Sequence, residues 1–159
     1  MTKHEEMQRM IHQYKYETGK TEVQMIEVVK FAVSKGMKVP PPVDPLDRMA
    51  KEFAIAAREE VRHDKATGRP YRANHAVKTT QGGVQLVFWV DIDEAPRAHM
   101  VKSLNNRREQ MVDDGLMLSY DADHWNSIHP AEDPIQLEMD LTPDIEWRKN
   151  SPDQQKIAV

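Results

Sequence analysis

Arg48, Lys51, Arg58, Arg62, Arg69, Arg72 and Lys78 fall within one short stretch of the chain. Guanidinium and ammonium groups bind phosphate oxygens and displace counterions condensed on a nucleic acid, so a surface built from these side chains is a polyanion site. Further along, Asn105-Asn106-Arg107-Arg108 combines the side-chain types that read adenine and guanine edges bidentately, which adds Arg107 and Arg108 to the set. A second chemistry is carried by Asp91, Asp93, Asp121, Asp123, His124 and His129. Carboxylates and imidazoles are the donors that Mg²⁺, Mn²⁺ or Zn²⁺ take, so these six define an alternative reading as a metal-dependent hydrolase or nuclease.

Each set also has a structural explanation. Arg48 can pair with Glu52, and Asp47 with Lys51, four residues apart on a helix. Asp93 precedes a helical pattern and suits its cap. His75 alternates onto an apolar strand face, where a hydrogen-bonded, half-buried histidine is expected rather than a catalytic base.

Other chemistries lack their residues. There is no Gly-x-Ser-x-Gly elbow, no Gly-x-Gly-x-x-Gly, no phosphate-cradling Gly-Lys-Ser/Thr loop, no His-Glu-x-x-His and no EF-hand loop. With no cysteine among 159 residues, disulfides, thiolate metal sites and a cysteine nucleophile are excluded. The expectation is therefore a binding module without a cofactor rather than an enzyme. No apolar run reaches the roughly 18 residues that a bilayer requires, and no secretory leader is visible, so a cytoplasmic protein without membrane contact is expected. Residues 1–79 carry 15 Lys and Arg against 11 Asp and Glu, whereas residues 80–159 carry 7 against 15. A basic front and an acidic back fit either a polyanion-binding face or mutual attraction of the two halves.

These side chains must be positioned by elements that the pattern also outlines. Met7, Met10, Ile11 and Tyr14 form a narrow helical stripe that ends at Gly19. A second helix is expected after Thr21 and Gln24, which have capping-box spacing, and it runs through a nearly all-apolar stretch to Gly36. Pro40-Pro41-Pro42 cannot be helical. Asp44-Pro45 opens a third helix, with Leu46, Met49, Phe53, Ala57 and Val61 on one arc and the basic side chains on the next, ending near His63. A hairpin follows, turning at Gln81-Gly82-Gly83, and its second arm, Val84 to Asp93, is expected inside a sheet because both of its faces are apolar. A fourth helix should stop at Gly115. Residues 116–120 and 135–141 alternate like strands, and residues 121–130 read as the loop between them.

The predicted fold class is α+β: a small antiparallel sheet of about four strands packed with helices, preceded by an N-terminal helical hairpin. The corresponding organisation is a hairpin at 1–36, a proline connector at 37–44, a core at 45–149 and a flexible tail at 150–159. The functional expectation is a nucleic-acid-binding module within a larger assembly. A protein–protein adaptor that forms a homodimer through its N-terminal helices is a further alternative.

Overall fold

A computed structural model of the chain describes residues 1–151, so most of the expected tail at 150–159 lies outside the described residues. The described residues form five helices and two antiparallel sheets of two strands each, a mixed α+β arrangement. They divide into two compact units, Met1–Arg48 and a second that begins at Met49.

In the first unit, α1 (Lys3–Thr18) is capped at both ends by its own sequence. The Thr2 hydroxyl accepts from the Glu5 amide, while the Glu5 carboxylate accepts from the Thr2 amide. Gly19, at φ 69°, ends the helix by donating its N–H to the Lys15 carbonyl. The capping box thus sits on α1 and not on α2 (Met25–Ser34), whose N-cap, Gln24, makes no side-chain bond. The two helices meet where Tyr14 packs edge-on against Phe31, with ring centroids 5.5 Å apart. Of the apolar residues of α2, only Val28 and Ala32 are buried, fewer than its sequence implies.

The third helix, α3 (Pro45–Glu59), whose first four residues belong to the first unit and the rest to the second, stops four residues before His63. Val61 to His63 instead form β1, which pairs with β2 (Pro70–Arg72). β3 (Asn74–Gln81) pairs with β4 (Val84–Asp91), with Gln81 opposite Val84. Gly82 and Gly83 make that turn at φ 55° and 77°, which β-carbon-bearing residues rarely adopt. The expected single sheet is split at Ala73. This fully buried residue donates its N–H to the Glu60 carbonyl and accepts from the Ile92 amide, so the chain bends between the hairpins. β4 has β3 as its only ladder partner among the described residues, so it is an edge strand. α4 packs on β3, while Val84, Val87 and Phe88 of β4 remain exposed, so the expected two-sided burial of this strand is not found.

The largest departure concerns α4, which runs unbroken from Arg97 to Ile128. Residues 116–120, read as a strand, are helical, as is most of the expected loop at 121–130. A five-residue segment as short as Leu116 to Tyr120 satisfies a strand or a helix equally, and only the flanking turns decide. Gly115 does not stop α4. A β-carbon placed there would lie 3.3 Å from Met139 Cε, because the chain returns along α4 at this point. Gly115, Ser119, Ala122 and Asn126 are half-buried and recur every four and three residues, which places small side chains beneath the returning segment. Asn126 anchors it by donating to the Ile135 carbonyl (2.9 Å) and accepting from the Ile135 amide (2.8 Å). Residues 135–141 have no ladder partner among the described residues and are not a strand. The chain ends its described course in α5 (Thr142–Lys149).

A mid-helix glycine costs about 1 kcal/mol relative to alanine, and the atom nearest the missing β-carbon is the mobile end of a methionine. Gly115→Ala is therefore expected to stabilise the protein by up to about 1 kcal/mol in urea denaturation. Gly115→Phe, which would displace the returning segment, is expected to lower stability.

Candidate functional site

The cations predicted to bind phosphate do not share one fate. Arg62 lies on β1 opposite Tyr71, which turns its side chain toward the end of β4. Its guanidinium grips Asp91 with both nitrogens, at 2.9 and 2.7 Å, and also reaches Asp93 at 2.9 Å and Glu60 at 3.1 Å. The Tyr71 hydroxyl donates to the same Asp93 oxygen at 3.0 Å, and Asn74 donates to Glu60 at 2.7 Å. Hydrogen bonds from Arg62, then from the Asp93 amide, hold the Asp91 carboxyl below its usual range. The three carboxylates in turn push the Arg62 pKa up, and Asp93 raises that of Tyr71. Arg62 is thus an internal clasp between the two hairpins and is withdrawn from the predicted phosphate-binding set.

The loop joining β1 to β2 is tied by Asp64, whose Oδ1 accepts from the amides of Ala66 and Thr67 and from the Thr67 hydroxyl. Those bonds lower the Asp64 pKa, and Gly68 supplies the left-handed conformation that closes the turn. Beside this loop lies an open cavity of about 800 Å³ lined by His63, Lys65, Arg69, Tyr71 and Asp93, among others. Its carboxylates are already engaged, Asp64 by the turn and Asp93 by Arg62 and Tyr71. The Lys65 ammonium enters no ion pair among the described residues. Among the described residues, Arg69 donates to the Asn150 amide oxygen alone, at 3.4 Å, and contributes, after Lys149, to lowering the Glu146 pKa.

The remaining predicted residues are spread over the unit. Arg58, on the last turn of α3, stacks over Trp89 of β4 at 5.1 Å from the ring centroid. Lys78 is exposed on β3 beside Val87 and is the only cation on its hairpin, so the hairpin tip is polar rather than basic. Lys51 is exposed on α3, and Arg48 belongs to the first unit. Arg72 and Arg107 are near enough for the charge of Arg72, after desolvation, to lower the pKa of Arg107. Arg108 points to its neighbour Glu109 at 2.8 Å.

The Asp/His set is not brought together. Asp91 and Asp93 serve Arg62, while Asp121, Asp123 and His124 lie on α4. His129 caps α4, with its ring stacked on Trp125 at 3.6 Å and Nδ1 at 3.0 Å from the Trp125 carbonyl. Among the described residues, no three His, Asp or Glu side chains are grouped to hold a metal ion. Sequence reasoning gave no functional role to His63 and Tyr71 and left Lys65 outside the phosphate-binding set. Their signal was the Asp64-x-x-Thr67-Gly68 turn, which folds both of its flanks onto one cavity.

Among the described residues, no helix is long and apolar enough to cross a membrane. No protein-family model, curated protein or solved structure matches this chain.

Proposed function

We propose that the second unit is a binding module for a nucleic-acid backbone, contacted through Arg58, Lys65, Arg69, Arg72 and Lys78. The supporting observation is the distribution of counter-charge. Arg62 alone takes up Glu60, Asp91 and Asp93, whereas these five cations enter no ion pair among the described residues. An unneutralised cation gains most from an external phosphate, because each contact releases condensed counterions. Asn105, Asn106, Arg107 and Arg108 span more than one turn of α4 and cannot all face one groove, so recognition of the backbone is the better fit.

The test is fluorescence anisotropy with single- and double-stranded oligonucleotides at increasing salt. Five phosphate contacts give a slope of log K against log salt of about −4.5 on duplex DNA. Arg69→Ala and Arg72→Ala should each reduce that slope by about 1. No binding at low salt, or a slope unchanged in the five-fold alanine variant, would overturn the reading.

A further inference from the structure

We propose that α4 pairs antiparallel with α4 of a second copy, along the row Leu104, Met111, Leu118 and Trp125, with Arg107 of each copy facing Asp121 of the other. The row recurs every seven residues over about six turns of one uninterrupted helix, the spacing by which helices pack along a common seam. These side chains remain 47, 56, 49 and 41% exposed, so the unit that carries them does not cover them.

Length points to the occupant. A helix of 32 residues is about 48 Å long, and the next longest among the described residues, α1, has 16. Only another α4 offers a seam of equal length with the same repeat. Ile135, Leu137, Met139 and Leu141 on the segment that returns along α4 are also half-exposed and widen the apolar surface that a second copy would cover.

Charge selects the direction. A two-fold axis between Met111 and Leu118 sets Leu104 against the second copy's Trp125 and Met111 against its Leu118. The same axis brings Arg107 to the second copy's Asp121, twice per dimer. Within one chain these two residues are 14 positions apart on one helix, about 21 Å, and cannot meet. Neither enters an ion pair among the described residues, and a parallel pairing would give Arg107 the second copy's Val112 instead of a carboxylate.

The test uses the full chain in light scattering coupled to size exclusion, from about 1 to 100 µM. A dimer is expected. Arg107→Asp and Asp121→Arg should each weaken it about ten-fold, because each sets like charges opposite one another. The double variant R107D/D121R should restore it, since the pairs are re-formed with reversed sign. Both positions are exposed, so helix content by circular dichroism should not change. Because the chain has no native cysteine, Asp114→Cys near the axis gives an independent readout: oxidation should link the two copies. A monomer at every concentration overturns the proposal. So does a dimer indifferent to the single reversals, which would place the interface elsewhere, for example on α1 and α2. Loss without rescue in the double variant overturns it as well.

Discussion

Arg62→Ala is expected to reverse the response of this protein to mild acid. In the native chain, Arg62 holds the Asp91 carboxyl below its ordinary value near 3.8. The unfolded chain, with a higher Asp91 pKa, then binds more protons around that pH. This contribution to stability is present above the unfolded value and is lost as pH falls through the folded one. Without Arg62, Glu60, Asp91 and Asp93 face one another around a missing cation, and repulsion raises their pKa values instead. The variant should therefore be less stable than the native protein at pH 7, and its deficit should shrink from pH 6 to pH 4 as protons relieve that repulsion. Added salt should narrow the difference at pH 7 by screening the carboxylates. Urea denaturation of both proteins across pH 4–7 measures the sign directly. Parallel curves for the two proteins would show that Arg62 does not act as the clasp.

His75→Ala is expected to be the most damaging single core substitution. His75 is buried in the second unit, and its Nε2 lies 3.0 Å from the Arg72 carbonyl, which can only accept, so this nitrogen carries the proton. Alanine would leave both a void and an unpaired carbonyl, a loss of about 2–3 kcal/mol. The unit has little to absorb it, since Ala73 and Val77 are its only other described buried residues besides Ser103. His75→Gln, which keeps a donor on a similar stem, should recover part of the loss. Thermal denaturation of the two variants separates the hydrogen bond from the packing. A loss below about 0.5 kcal/mol for alanine would contradict the burial seen here.

The clasp illustrates where sequence reading stops. Arg62 was legible as one cation among seven and was read with the others as a phosphate ligand. The residues that engage it, Asp91 and Asp93, were read separately as metal ligands because nearly thirty positions intervene. Only the pairing of β3 with β4 carries Asp91 back to the β1 edge. Lys65 was left out of the set because the helix was expected to end before it; that it stays unpaired among the described residues depends on Asp64 and Asp93 being engaged elsewhere. Gly115 was read as a stop because glycine usually ends a helix. Its neighbour Met139, which explains why a small residue stands there, is 24 residues away and is placed by the bond between Asn126 and Ile135.

By itself the sequence determined what is enforced over a few residues. The end of α1 at Gly19, the start of α3 at Asp44-Pro45 and the tight turn at Gly82-Gly83 follow from backbone dihedrals and cap bonds that neighbouring residues satisfy. The α+β mixture follows from hydrophobic period. Tertiary structure decided the length of α4, the division of four strands into two sheets and the choice of cation to be neutralised. Each of these turns on a contact between distant segments, at Met139, Ala73 and Asp91 respectively, where packing or charge outweighs a local preference of about 1 kcal/mol or less.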